Sequence, residues 1–444
     1  MRLLILQILP ATRGRPVPRF EPQLGTLLTL LEQRGHELTL VGLSSFDVAA
    51  IKAGMSRGLP QLVYADISPV CTDAARRTFE HIQRNEFVPI VVGGALAVVD
   101  PAGCLSLPGV HAAAIGEPDA SLVTYFERVR DPAVGQVVRG VWLRDEKGLA
   151  RPQMPPLVED LDSLPLPNRD LFNYAEHVRR TGEIEIAVGR GCPQKCGYCL
   201  NPAAERLYAG GGAWVRRRSP RHVVDEIKLL REKYGDVRRV RFLDHAFALD
   251  AVWLEPMLAL YREQVGLPFR CHVRLNAIER GRIAAMRAAG CDSVSVEVIS
   301  ASNFVRNDIM HMELSSEQIA GAFQVLHAHG LETRAILYLG TPYESETSLR
   351  EAVQLLRRLR PTIVDVRPYY PLPGTAAADL ARASGWLHTR GEEQFHAQRC
   401  GIDMPSCRES NVAAAIRQIS REFRVQVGEP WWRAAVRSVL GGRR

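Results

Sequence analysis

Short apolar runs alternate with amphipathic segments over residues 1–135, the signature of strands alternating with helices. Strands are expected at 3–6, 38–43, 62–67, 90–93 and 112–115. A helix over 23–34 gathers Leu24, Leu27, Leu28 and Leu31 on one face and ends at Gly35, with further helices over 49–58 and 74–85. This is a doubly wound parallel α/β unit, Rossmann-like, whose ligand crevice lies beyond the carboxyl ends of its strands. That rim carries residues 10–19 and 68–72, Gly93-Gly94 and Gly116-Glu117. Residues 152–172 are rich in proline and acids, which favours extended chain and places a linker over 136–180. Periodicity returns with strands at 183–188, 239–243, 269–273, 293–298, 334–339 and 363–368, separated by helices at 220–234, 252–264, 277–289, 316–329 and 346–358. Repeated strand–helix units over 181–375 make a partial (β/α)6 barrel, and 376–444 reads as a mainly helical C-terminal region.

Composition changes this picture little. The chain has 444 residues, 46% hydrophobic and 24% charged, ordinary for a globular protein of two or three domains. No apolar run approaches the ~20 residues that span a bilayer, and the short apolar start is a first strand more than a signal peptide. A cytoplasmic setting is expected, where thiols stay reduced. The net charge of +7 is spread thinly, with concentrations at Arg216-Arg217-Arg218, at Arg238, Arg239 and Arg241, and near the C-terminus. No basic stripe interleaved with aromatics is present, which argues against nucleic acid as partner. Solvated helix faces are the simpler account of these runs.

The candidate chemistry lies in Gly189-Arg190-Gly191-Cys192-Pro193-Gln194-Lys195-Cys196-Gly197-Tyr198-Cys199. A C-x3-C-x2-C spacing lets one loop turn three thiolates toward a 4Fe–4S cluster, leaving one iron without a protein ligand. Structural zinc is the competing reading, although no second cysteine pair follows closely. The segment resembles the cluster loop of the radical S-adenosylmethionine (SAM) superfamily. In that family the open iron chelates SAM, and one electron splits it into methionine and a 5'-deoxyadenosyl radical. The first half resembles the cobalamin-binding domain that precedes one large radical SAM class. The matching features are Pro22-x-Leu24-Gly25, Arg34-Gly35-His36-Glu37, Val91-Val92-Gly93-Gly94 and Ile115-Gly116-Glu117, with the connector Leu164-Pro165-Leu166-Pro167-Asn168-Arg169. The Asp-x-His-x-x-Gly loop, whose histidine ligates cobalt in many cobalamin proteins, is absent.

Polar residues at the carboxyl ends of barrel strands build sites. The resemblance implies SAM contacts from Asp244 (ammonium), Arg274 (carboxylate), Glu297 (ribose hydroxyls), Ser300, Gly340 (adenine) and Tyr198, and cobalamin contacts from Ser68, Gly93, Gly94, Gly116 and Glu117. Ordinary salt bridges remain open for Asp244 and Arg274, and a solvent-facing acid for Glu297. Arg190 and Lys195 are expected to offset cluster charge. Cys71, Cys104, Cys271 and Cys291 read as small buried apolar residues, and Cys400 and Cys407 are too few for a second cluster. The basic aromatic stretch 430–440 docks on its own domain or lies on a membrane surface.

The resemblance implies a cobalamin-dependent methyltransferase acting on an unactivated carbon of a small molecule or natural product, supplied with electrons by a flavodoxin or ferredoxin. A cyclase, oxidase or rearrangement enzyme with the same cofactors is the alternative, and a non-catalytic iron–sulfur or cobalamin sensor a more remote one. The methylthiolating branch fits less well, because its first domain supplies three further cluster cysteines and only Cys71 and Cys104 precede the linker here.

Overall fold

The computed structural model describes residues 1–11, 18–133, 138–143 and 153–426. In chain order its strands are β1 (Arg2–Ile8), β2 (Glu37–Leu43), β3 (Leu62–Ile67), β4 (Ile90–Gly93), β5 (Val110–Ala114), β6 (Val141–Leu143), β7 (Glu183–Ile186), β8 (Gly189–Arg190), β9 (Arg216–Arg217), β10 (Arg239–Phe242), β11 (Phe269–His272), β12 (Cys291–Ile299), β13 (Glu332–Leu339) and β14 (Ile363–Pro368).

The first sheet runs β2-β1-β3-β4-β5-β6. Five strands are parallel, and the order reverses between β1 and β3, where ligands bind in open α/β sheets. Every residue of β3 and β4 is buried, as helices on both faces require. The helix Pro22–Gln33 starts with proline in its first turn and buries Leu24, Leu27, Leu28 and Leu31. The antiparallel edge strand β6 was not expected, since its residues fall within the span 136–180 read as linker; it pairs Val141 with Ala114.

The second sheet, β14-β13-β12-β11-β10-β7, is parallel throughout and open between its edge strands β7 and β14, a partial barrel. Its helices Pro220–Tyr234, Ala251–Gln264, Ser316–Ala328 and Glu346–Leu359 begin with side-chain caps from Ser219, Asp250, Ser315 and Ser345. A register shift interrupts β12 between Glu297 and Ile299, and Ile299 takes φ 67°. A β-branched residue there is strained, and the bulge turns the end of the strand into the site.

The connector is more ordered than its prolines suggest. It contains the helix Tyr174–Thr181, and Asn168 donates its backbone N–H to Gly25 O at 3.0 Å. Arg169 is buried, paired with Glu226 at 2.7 Å and stacked over Phe20 at 4.4 Å. The arginine run 216–218 also departs from expectation. Its side chains point inward, to Glu117, Asp244 and Glu226 respectively, and no helix carries them. Past the barrel lie helices Ala376–Ala383, Glu392–His396 and Glu409–Glu422. The aromatic stretch 430–440 lies outside the described residues, as does part of the rim 10–19.

Candidate active site

The cysteine loop follows β8, and its shape is fixed from several directions. Asn201, fully buried, donates through Nδ2 to the carbonyls of Cys192 (2.8 Å) and Gln194 (3.1 Å) and accepts from Trp214 Nε1 at 2.9 Å. Gly197 donates its N–H to Met310 O at 3.0 Å, and a Cβ at this position would lie 2.5 Å from Ile309 O. Gly191, at φ 78°, has Trp214 O where a side chain would go. These glycines let neighbouring backbone close on the loop. Cys196 is buried, while Cys192 and Cys199 are half-buried. Among the described residues, no three of His, Cys, Asp and Glu are grouped as ligands of one metal ion.

The cation on this loop is Arg274, which leaves β11. It donates through Nη2 to Cys196 Sγ at 2.8 Å and through Nη1 to Glu297 Oε2 at 2.5 Å. Burial disfavours its charge, but Cys196, Tyr198 and Glu297 more than offset this and hold the guanidinium firmly protonated. The two cations expected to offset cluster charge are committed elsewhere: Arg190 to Glu117 and Asp119, Lys195 to Glu205.

Glu297 is the hub. Besides Arg274 it accepts from Tyr198 Oη at 3.0 Å and stands 3.4 Å from His245 Nδ1. Burial alone raises a carboxyl pKa, yet His245, Arg274 and Tyr198 reverse this and bring it down to about 2. The solvent-facing alternative for Glu297 is therefore wrong: the residue is 6% exposed and packed against Arg274, Tyr198 and His245. His245, next to Asp244 in the sequence, was the adjacent signal for a partner that spacing alone did not assign.

Asp244, at the end of β10, accepts the Val188 N–H at 3.0 Å and pairs with Arg217 at 3.2 Å. The salt bridges considered for Asp244 and Arg274 both exist, and they join the two residues to the site. Ser300 and Gly340 meet at Glu344, in the segment after the fifth barrel strand, to which the sequence assigned no role. Its carboxylate is fully buried and accepts from Ser300 Oγ (3.0 Å), Gly340 N (2.6 Å) and Thr341 N (3.2 Å). Burial raises its pKa to about 7 against these bonds. Gly340, at φ 85°, abuts Cys400 Sγ where a Cβ would stand.

The first-sheet rim faces these elements. Ser68 is buried, and its hydroxyl has no protein partner. Gly93 packs against the Tyr64 ring, and Gly94, at φ 77°, lies against Asp66 and Ile67. Gly116, at φ 81°, touches the Tyr208 hydroxyl, which accepts the Glu117 N–H at 2.6 Å. The Glu117 carboxylate is engaged by Arg190 and Arg216. Cys71, Cys104, Cys271 and Cys291 are buried among apolar side chains as expected. The C-terminal region reaches this rim: Glu392 accepts the N–H groups of Thr72 (3.1 Å) and Asp73 (3.3 Å), and His396 bonds Val70 O at 2.9 Å.

Residues 186–356 match the Radical SAM superfamily, and the match spans the cysteine loop and the strand ends just described. This segment is similar to radical SAM domains. The matched segment follows the first sheet in the chain, and the same arrangement recurs in a solved structure. That structure is a radical S-adenosylmethionine methyltransferase, TsrM from Kitasatospora setae, with cobalamin and a [4Fe-4S] cluster bound (TM-score 0.68, 17% identity, covering 87% of this chain and 79% of that one). At this identity the likeness is one of fold. Among curated proteins, cytidylyl-2-hydroxyethylphosphonate methyltransferase of Streptomyces wedmorensis is 22% identical over 286 residues, 56% of this chain and 52% of its own. A probable threonylcarbamoyladenosine tRNA methylthiotransferase of Pyrococcus abyssi is 35% identical over 251 residues, 53% and 56% of the two chains. The chain thus spans about half the length of the curated relatives it matches. Among the described residues, no helix is long and apolar enough to cross a membrane.

Proposed function

We propose that this chain is a cobalamin-dependent radical SAM methyltransferase that alkylates an unactivated carbon of a small molecule. The observation that carries the reading is Arg274 bridging Cys196 to Glu297, which ties the cysteine loop to a ring of polar side chains at the barrel rim. The residues suit the groups they would hold. Cys192, Cys196 and Cys199 offer three soft ligands on one loop, next to a buried cation suited to an anionic cluster. Glu297, Tyr198, Asp244, Ser300 and Gly340 present acceptors and close backbone to a nucleoside and an amino acid moiety. Ser68, Gly93, Gly94 and Gly116 would line the corrin side, with Glu117 supporting the turn.

When bound, the cluster and SAM supply a 5'-deoxyadenosyl radical and cobalamin a transferable methyl group, chemistry that no side chain here can provide. The protein's part is to bind, orient and exclude water. Glu297 stays ionised and keeps Arg274 and His245 oriented. Asp244 holds Val188, at the end of the first barrel strand, in register with the cysteine loop. The helix Glu392–His396 ties the C-terminal region to the first-sheet rim at Val70, Thr72 and Asp73. A flavodoxin or ferredoxin would deliver electrons.

Anaerobic reconstitution with iron, sulfide and hydroxocobalamin tests this, with bound cobalt, 5'-deoxyadenosine and S-adenosylhomocysteine measured after adding SAM and reductant. Cobalt together with both products is the expected result. Deoxyadenosine without cobalt or S-adenosylhomocysteine overturns the cobalamin assignment and leaves SAM cleavage alone.

A further inference from the structure

The contact between first sheet and cysteine loop is an ionic quartet buried from solvent. Glu117 and Asp119 come from the turn after β5 and the start of the helix Pro118–Arg130, and Arg190 and Arg216 from the antiparallel ribbon β8–β9. Arg190 lies opposite Arg216 in that ribbon and two residues before Cys192. Its Nη1 reaches Glu117 Oε2 at 2.8 Å and Asp119 Oδ2, while Arg216 grips both oxygens of Glu117.

A second route joins the same two places. Tyr208 accepts the Glu117 N–H and stacks on Trp214 at 6.0 Å; Trp214 bonds Asn201, and Asn201 holds the carbonyls of Cys192 and Gln194. Consecutive residues of β9 serve opposite sides, Arg216 the first sheet and Arg217 Asp244 in the barrel, as strand alternation dictates.

Burying charges is costly, and apolar side chains of similar volume would hold two domains together at least as well. Paired guanidinium–carboxylate bonds add what an apolar interface lacks, a fixed distance and orientation. We propose that Glu117 is a positioning residue: through Arg190 and Arg216 it locks the first-sheet rim to the cysteine loop and so sets the separation of the corrin and cluster sites. This rests on the reading above that both groups bind where proposed.

The separation can be measured without turnover, because cob(II)alamin and a reduced cluster each carry an unpaired electron whose magnetic interaction falls steeply with distance. The full chain, reconstituted with both groups, would be compared by electron paramagnetic resonance with Glu117→Gln and Arg216→Lys. A well-defined interaction is expected in the wild type. In the Glu117→Gln molecules that carry both groups it should be weakened or broadened, and Arg216→Lys should fall between the two. If Glu117→Gln does not fold, the charge-balanced double variant Glu117→Gln/Arg216→Gln, which keeps the Arg190–Asp119 pair, should show the same broadening. Cobalt and cluster bound with an interaction unchanged in the variants overturns the inference alone. A wild type that binds no cobalt overturns the cobalamin reading and this inference with it.

Discussion

Arg274 donates to the Sγ of Cys196 at 2.8 Å, so a residue from the third barrel strand is in direct contact with the loop that follows the first. Its other nitrogen holds Glu297, and the three residues act as one unit.

Replacing Glu297 tests that unit. Its carboxyl is held down to about 2, so the stabilisation it gives is present above ~4.5 and is lost as pH falls toward 2. Glu297→Gln should flatten the acid side of the stability profile relative to wild type, seen in melting temperature between about pH 5 and 3. SAM affinity of the reconstituted protein should fall by roughly tenfold or more, as expected for losing a hydrogen-bonded charge. An unchanged acid limb would show that Arg274 and His245 do not hold Glu297 ionised.

Asn201 is the staple of the cysteine loop. Asn201→Ala leaves two loop carbonyls and the Trp214 N–H without their partner, a loss of ~1–3 kcal/mol. Iron bound after reconstitution should drop several-fold while the barrel still melts cooperatively. Full iron loading would place the loop's rigidity elsewhere.

Glu344 carries the opposite pH signature. Its folded pKa, raised to about 7, means that the neutral acid suits this pocket. Stability from this group is complete below ~4.5 and declines as pH rises through 7, by on the order of 1.4 kcal/mol per unit between those limits. Glu344→Gln keeps the acceptor for Gly340 and Thr341 and removes the charge. Amide exchange at these two residues should quicken with pH beyond its intrinsic base dependence in wild type, and not in the variant.

Glu392 and His396 tie the C-terminal region to the first domain. Glu392→Ala uncovers two amides at the start of the helix Thr72–Asn85, whose own N-cap, Cys71, offers no side-chain bond. A loss of ~0.5–2 kcal/mol is expected, the range of a helix cap. Hydrogen exchange at Thr72 and Asp73 should accelerate, and bound cobalamin should be released faster. Slow exchange in the variant would mean that other contacts hold the C-terminal region on the first domain.

Much of this architecture was legible in the chain because its strands are apolar runs and its helices amphipathic. β3, β4 and β14 carry the bounds read from the apolar pattern. The ends of the barrel strands were legible too, since Asp244 and Arg274 come two residues after β10 and β11 and Glu297 lies near the end of β12. What escaped was pairing across distance. Arg216 and Arg217 looked like surface charge because their partners, Glu117 and Asp244, are remote in sequence. Asn201 carries no local signal, and its role appears only when Trp214 folds over it. The two-residue strands β8 and β9 are too short to show alternation. Glu344 lies just after the fifth barrel strand, close to Gly340, but burial, which no spacing reveals, gives it its role.

The bond between Glu392 and Thr72 spans 320 residues of chain. A ribosome adding ~5–20 residues per second needs roughly 16–64 s to cover that stretch. During this interval the amides that Glu392 will cover face water, and the rim of the first sheet stands open. Closing so long a loop costs little more entropy than closing one half its length, about 0.6 kcal/mol. Timing is the larger effect: the first-sheet helix gains the Glu392 cap only after nearly all of the barrel has been made.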